Sequence, residues 1–437
     1  MGLINRQRSG ALPLRYNFAW NLFGSGVYAL CQWAMVIVLA KMGSPEVVGR
    51  FAFGLSIAAP ILMLSNLQLR QVQASDAINK YAFGDYFTVR WLTTSMALLV
   101  IAGVCFFARR GSYASWVLLV IGLAKAVESL GDVIHGLFQK HERMDIIAVS
   151  MLLKGVLSIV AMGVTYWQTH SLLASVLAMG LAWTITVLLY DVTMANGLLR
   201  QIGGTATWKS AFYAYRCTSL CAVWRLMIES IPLGVVMCLI SLHTNIPRLV
   251  IERYSGEHVL GLFMAISYFM QIGFLIEVAL GQAAIPRLSQ FFAQQRYDRF
   301  QRLVWQCNFV ALALGMAGVG VAMVAGRFIL DLVYGAEYAK HDTILVWMMV
   351  AAGLGYGIGF LRAAITAARR FHVQVPLFGI LAITTAVGTY LWVPSRGLAG
   401  AAAAIILARC VTLSAGVLVL VDILIKARRQ SLEGEGA

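Results

Sequence analysis

Two apolar segments of the sequence carry polar side chains at helical spacing. Steps of three or four residues place the first set on one face of a helix: Asn17, Asn21, Ser25, Tyr28 and Gln32. The second set follows a similar spacing: Ser241, Thr244, Asn245 and Arg248. Such faces could contact a polar substrate in a hydrated cavity. Hydrogen bonds between neighbouring helices would explain the same pattern, and both explanations stay open.

Arginines lie at or near the ends of several apolar segments, and one lies in the middle of a segment. They are Arg15, Arg50, Arg70, Arg248 and Arg409. A guanidinium group has paired donors that match a phosphate, so this set fits a substrate with a pyrophosphate group. Each arginine taken alone also fits an anchor that reaches the membrane surface. Arg409 has no acidic residue at its depth, and we expect it to face water or substrate.

Acidic and basic residues also lie inside apolar segments. One helical face carries Lys125, Glu128, Asp132 and His135, and Lys154 of the next segment could reach them. The cluster predicts an internal set of ion pairs that locks this part of the chain. The alternative is a protonatable site for ion coupling at Glu128 or Asp132.

A third acidic residue inside an apolar segment, Glu277, is another candidate for ion coupling. Glu277 and Arg362 lie at equal depth in their segments, which predicts a buried pair.

Motifs for covalent chemistry are missing from the sequence. The run Gly353, Gly355, Gly357 and Gly359 lacks the Lys-Ser/Thr of a phosphate-binding loop and predicts close helix packing or a bend in the helix. The seven cysteines lack the spacing of a zinc site. We therefore expect no cofactor, no metal, no catalytic residue and no enzymatic activity.

The composition indicates a polytopic membrane protein of helical class. Apolar residues make up 60% of the 437 residues and charged residues 12%, which leaves too few polar side chains to cover a water-facing surface. The net charge of +15 would suit a nucleic-acid partner in a soluble domain. In a membrane protein it is explained by basic loops beside anionic lipid, so we expect membrane lipids and no nucleic acid as partners.

Twelve segments are long enough to cross a bilayer. They span about 17–40, 51–69, 89–107, 114–138, 146–167, 172–195, 227–249, 259–283, 303–325, 343–366, 373–392 and 397–424. With a cytoplasmic N-terminus, 21 of the 34 Lys and Arg residues fall on the inner side and nine on the outer side. This bias predicts that both termini are cytoplasmic. No predicted outer loop is long enough for the catalytic machinery of a polymerase or glycosyltransferase.

The two halves of the chain resemble each other. Val47, Gly49 and Phe51 match Val259, Gly261 and Phe263 at an offset of 212, and Asp85 and Phe87 match Asp298 and Phe300 at 213. The repeat predicts two pseudo-symmetric six-helix lobes with a substrate path between them. We place the N-lobe at 1–200, an amphipathic cytoplasmic connector at 201–226 and the C-lobe at 227–437.

Three stretches carry a family resemblance: the opening from NFAWNLFGSG at residue 17, GLFQKHERMD at 136–145 and TNIPRLVIERYSGEHVLGLF at 244–263. The chain resembles the Wzx-type polysaccharide flippases of the multidrug/oligosaccharidyl-lipid/polysaccharide exporter superfamily. The resemblance implies two lobes around a cationic cavity and alternating access. The implied substrate is an undecaprenyl-pyrophosphate-linked oligosaccharide, moved from the cytoplasmic to the periplasmic leaflet.

These observations together predict a flippase for surface polysaccharide synthesis in a bacterial inner membrane. Polysaccharide polymerase and chain-length proteins are expected partners. The alternative is an ion-coupled exporter of multiple drugs or cations from the same superfamily. A cavity for cations should be acidic, whereas the polar faces here carry arginine.

Overall fold

The computed structural model describes residues 14–76, 79–107, 112–203, 217–368 and 370–435. Every element in these ranges is a helix, which confirms the predicted all-α class. The α-helices are α1 Leu14–Met42, α2 Pro45–Asn66, α3 Leu69–Ser75, α4 Phe83–Phe107, α5 Ser112–Lys140, α6 Met144–Thr169, α7 Leu172–Thr186, α8 Val192–Gly203, α9 Leu220–Ser267, α10 Met270–Ala293, α11 Tyr297–Tyr334, α12 Ala336–Ala339, α13 Asp342–Ala367 and α14 Gln374–Glu435. A π-helical turn, Val187–Asp191, joins α7 to α8, and a 3-10 turn, Phe371–Val373, precedes α14.

Ten helices in the described ranges are long and apolar enough to cross a membrane. They do not include α5, although it has 29 residues. They count α14 once, although its backbone leaves the helical region at Gly397 (φ 53°). Adding α5 and counting α14 as two helices, one on each side of Gly397, gives the twelve predicted segments.

Local sequence explains where several helices begin and end. Helix α2 begins at Pro45, whose fixed φ suits the first turn of a helix. Asp85 and Asp298 lie in the first turns of α4 and α11, where a carboxylate faces the positive end of the helix dipole. The two aspartates are the residues that the predicted repeat matches, so they hold equivalent positions in their helices.

Contacts divide the chain into two units, Met1–Ser241 and Leu242–Ala437. In the first unit, α1 packs closely on α6, and a Cβ added to Gly24 would lie 2.6 Å from the Ala148 Cα. In the second, a Cβ added to Gly353 of α13 would lie 2.9 Å from the Gly315 Cα of α11. This contact confirms the close packing predicted for the start of the glycine run.

The predicted lobe boundaries stay a prediction. Much of the predicted connector, residues 204–216, lies outside the described residues.

Candidate functional site

The first unit contains an arginine cluster, formed by Arg70 of α3, Arg90 of α4 and Asp132 of α5. Arg70 Nη1 donates to Asp132 Oδ1 at 3.3 Å and Arg90 Nη2 to Asp132 Oδ2 at 3.4 Å. Arg70 Nε also donates to Gln139 Oε1 at 2.9 Å. Two guanidinium groups therefore share one carboxylate, and the cluster carries one excess positive charge.

Arg90 is the buried member of this cluster. Its side chain is 0% exposed, and Nη1 donates to Asn66 Oδ1 and, at 3.3 Å, to Ser129 Oγ. The Ser129 hydroxyl in turn donates to Asn66 Oδ1. Sequence reasoning did not select Arg90. The available signal was its position as the second residue of the predicted segment 89–107, where an unpaired guanidinium is costly.

A second group of charges lies about one turn earlier on α5, at Lys125 and Glu128. Tyr28 Oη donates to Glu128 Oε1 at 2.5 Å, and Lys125 Nζ donates to Glu128 Oε2 at 2.7 Å. The Lys125 ammonium also lies 5.0 Å from the centroid of the Trp183 ring. Glu128 is therefore held by partners from its own helix and from α1.

The third group is the lysine–aspartate cluster of Lys154, Asp191, His135 and Ser150. Lys154 Nζ lies 2.9 Å from Asp191 Oδ2, and His135 Nε2 lies 3.5 Å from Asp191 Oδ1 and 3.1 Å from Ser150 Oγ. The Lys154–Asp191 contact is short enough for an ion pair, but its angles do not suit a hydrogen bond. Lys154 and His135 thus both contact Asp191, which sequence reasoning missed.

The fold makes room for this cluster. Asp191 is the last residue of the π-helical turn and is 0% exposed. A Cβ added to Gly131 would lie 3.0 Å from Lys154 Nζ, so a side chain there would press on the lysine. The signal for Asp191 was present, because it lies inside the predicted 172–195 segment.

The other predicted residues of the first unit have separate environments. Buried Asn17 accepts the Met144 N–H at 3.2 Å, which satisfies a free donor at the start of α6. Asn21 is half-buried, and Gln32 has a buried Nε2 without a hydrogen-bond partner in the described part of the chain. Arg50 Cζ lies 5.7 Å from the Tyr113 ring centroid. The Arg15 side chain lies outside the described residues.

In the second unit, Asn245 and Arg248 of α9 contact each other. Arg248 Nη1 donates to Asn245 Oδ1 at 3.2 Å, and the Asn245 side chain is buried. Arg248 Nε is buried and has no hydrogen-bond partner among the residues that the structure describes. One turn earlier, His243 Nδ1 lies 2.8 Å from Thr385 Oγ1.

Arg409 of α14 contacts α13. Its Nη1 donates to the Ala351 carbonyl oxygen at 2.5 Å, and a Cβ added to Gly355 would lie 2.8 Å from the same nitrogen. A backbone carbonyl therefore provides the partner for which the sequence offered no acidic residue.

Glu277 of α10 is 1% exposed, and its Oε2 has no hydrogen-bond partner within the described ranges. Arg362 acts electrostatically on this carboxylate, as the predicted pair requires, but it does not lie within the 4.0 Å of a direct ion pair. Glu277 instead lies against Gly359, where an added Cβ would lie 2.8 Å from Oε2. The missing Cβ leaves space for the carboxylate.

Metal binding has no support in this arrangement. Among the residues that the structure describes, no three His, Cys, Asp or Glu side chains form a group suited to a metal ion. The clusters instead consist of guanidinium, ammonium, carboxylate, amide, imidazole and hydroxyl groups. Such an arrangement can bind a charged group or hold a proton.

The sequence is similar to a known protein family and to a curated relative. Residues 14–292 match the family described as "Polysaccharide biosynthesis protein". The capsular polysaccharide biosynthesis protein CapF of Staphylococcus aureus is 26% identical over 403 residues, which cover 91% of this chain and 96% of that protein.

Solved structures show the fold. An inward-facing multidrug resistance MATE transporter of the MOP superfamily superposes with a TM-score of 0.66 at 12% identity, over 98% of this chain and 99% of that one. A MOP superfamily transporter from Pyrococcus furiosus gives 0.61 at 14% identity, over 93% and 95%.

Proposed function

Because the chain belongs to the polysaccharide biosynthesis protein family and has the fold of MOP superfamily transporters, we propose that it is a flippase for a lipid-linked oligosaccharide. The substrate is an undecaprenyl-pyrophosphate-linked repeat unit, which moves from the cytoplasmic to the periplasmic leaflet without covalent change. The polymerase and chain-length proteins of surface polysaccharide synthesis then act on it. The protein is multi-pass, and we place it in the inner membrane of a bacterium with both termini cytoplasmic.

The observation that carries this proposal is the placement of arginine among the interior polar groups. Arg70 and Arg90 share a single carboxylate, and Arg248 has a buried Nε without a hydrogen-bond partner in the described residues. Guanidinium groups with donors to spare bind phosphate oxygens well, since each presents five N–H groups in a planar fork. A pyrophosphate head group is therefore a better ligand for these arginines than a cation is.

The proposal is tested by deleting the gene in its host and measuring lipid-linked oligosaccharide in each leaflet, together with surface polymer. We expect the lipid-linked oligosaccharide to accumulate on the cytoplasmic leaflet and the polymer to disappear. Normal polymer with new sensitivity to cationic drugs would contradict the proposal. That result would favour the alternative, an ion-coupled exporter in which Glu128, Asp132 or Glu277 titrates.

A complementation experiment tests the role of the arginines. Arg248→Ala should abolish export while the amount of folded protein stays normal, because the guanidinium group would bind the pyrophosphate. Arg253→Ala is the matched control, since Arg253 is exposed and lies on the same helix. Full export by Arg248→Ala would remove this residue from the binding site.

A further inference from the structure

The arginine cluster has a loose geometry for an ion pair in a protein interior. Each Asp132 oxygen contacts one guanidinium, at 3.3 Å for Arg70 and 3.4 Å for Arg90. Charge-assisted N–H···O bonds are usually about 2.7–2.9 Å long. Asp132 therefore bridges the two arginines through contacts that are longer than such bonds usually are.

The three charged groups differ in their access to solvent. The Arg90 side chain is 0% exposed, Arg70 is 20% exposed and Asp132 is 33% exposed. Arg90 is fixed by Asn66 and Ser129. An incoming anion can therefore reach Arg70 and Asp132, while Arg90 stays in place behind them.

Both arginines keep donors that the cluster does not use. Arg70 donates through Nε and Nη1, and its Nη2 makes no hydrogen bond to any described residue. Arg90 Nε is fully buried and has no hydrogen-bond partner in the described part of the chain. An unsatisfied buried N–H is unfavourable in proteins generally, and a bound anion with several acceptor oxygens is a group that would satisfy it.

The backbone before Arg70 is strained. Leu67 and Gln68 both have positive φ, 49° and 52°, although neither is glycine. Consecutive residues in this region are unfavourable for L-amino acids, and such strain concentrates at ligand clamps and switch regions. The strained residues lie between Asn66, which accepts a hydrogen bond from Arg90, and Arg70, which donates one to Asp132.

We infer that Arg70 and Arg90 form a phosphate-binding site in which Asp132 occupies the place of the anion when substrate is absent. This inference rests on the proposed function, which supplies an anionic head group. A phosphate brings more charge and more acceptor oxygens than a carboxylate, so it displaces Asp132 from the arginines. The returning carboxylate then competes with the phosphate and speeds its release.

The test compares binding of inorganic pyrophosphate by the purified full-length protein in lipid nanodiscs, measured by titration calorimetry. Asp132→Asn keeps the shape of the side chain and removes the competing charge. We expect it to bind pyrophosphate about tenfold more tightly than the wild type, and tenfold corresponds to ~1.4 kcal/mol. Arg70→Gln should weaken binding by a similar factor or more. In cells, Asp132→Asn should support less surface polymer, because release becomes slower.

Asp145→Asn is the matched control, because Asp145 pairs with Arg143 at 2.8 Å in the same unit and is 27% exposed. It should bind pyrophosphate as the wild type does. Its folded yield and that of Asp132→Asn should match, as measured by size-exclusion chromatography.

Three results overturn the inference. Unchanged or weaker binding by Asp132→Asn would mean that Asp132 only positions the arginines. Equal tightening in Asp145→Asn would show a general effect of net charge. No binding by either wild type or Asp132→Asn would exclude a phosphate site. The leaflet measurement on the deletion strain is independent of all three, so it shows separately whether the flippase proposal survives.

Discussion

The lysine–aspartate cluster allows a quantitative prediction about stability. Lys154 and Asp191 are 4% and 0% exposed, and their charged atoms lie 2.9 Å apart. Removing one partner leaves an uncompensated buried charge, which generally destabilises a protein by about 3–5 kcal/mol. Removing both partners leaves neither charge, and replacing a buried ion pair by apolar side chains is often neutral. The single and double variants should therefore differ sharply.

The experiment is a double-mutant cycle of Lys154→Met, Asp191→Leu and the double variant, with thermal unfolding followed in detergent. Domains of 150–250 residues shift by about 2–4 °C for each kcal/mol, so each single variant should lose roughly 6–20 °C. The double variant should recover most of that loss. The interaction free energy should exceed about 2 kcal/mol.

The control cycle uses Lys426 and Asp422, an ion pair at 2.8 Å whose side chains are 65% and 57% exposed. Its interaction free energy should stay below about 1 kcal/mol, because solvent screens exposed pairs. If the losses of Lys154→Met and Asp191→Leu simply add in the double variant, the reasoning is refuted. The two charges would then be stabilised independently of each other.

Two further predictions concern packing and pH. Gly315→Ala should destabilise the protein by about 1–3 kcal/mol, since the new Cβ would lie 2.7 Å from the Gly353 Cα. Gly320→Ala on the same helix, with open space around it, should unfold as the wild type does. At the loop residue Asp76, burial acts to raise the pKa, but the N–H groups of Lys80 and Tyr81 and the nearby Lys140 ammonium hold this pKa below its ordinary value. The resulting stabilisation is present above the unfolded pKa of about 3.9 and is lost as the pH falls through the lower folded value. Asp76→Asn should therefore unfold more readily than the wild type at pH 7, and a melting series should show this difference shrinking below about pH 4. A constant difference across that range would contradict the assignment.

Helix class and membrane character could be predicted from the sequence because they depend on composition and on the length of apolar runs. The boundaries of the runs were less certain, since lipid-facing residues continue past turns. Helix α9 shows this: it extends from Leu220 to Ser267 through Gly256, where the backbone leaves the helical region (φ 84°). The gap between the predicted segments 227–249 and 259–283 contains that break, but the second of these segments runs across the boundary between α9 and α10.

The partners of charged residues were predicted less well than their positions. Depth along a helix suggested that Glu277 and Arg362 interact, and Arg362 does act electrostatically on Glu277, but the sequence does not show whether the two groups touch. Asp191 was missed, although a carboxylate inside an apolar segment also requires a partner. Its partner Lys154 was found, since a lysine inside a span requires a counter-charge.

Charge balance within the first unit argues for an anionic substrate. Lys125 neutralises Glu128, and Lys154 neutralises Asp191. Asp132 alone is shared by two cations, so the excess positive charge of these clusters lies at Arg70 and Arg90. An exporter of cations needs the opposite excess, because a buried cation is stable only beside a counter-charge. A carboxylate that two arginines share can instead give way to a phosphate without leaving either arginine uncompensated. Reversing the excess, with Arg70→Glu, should therefore abolish pyrophosphate binding in the calorimetric assay. Retained binding would place the anion site elsewhere in the chain.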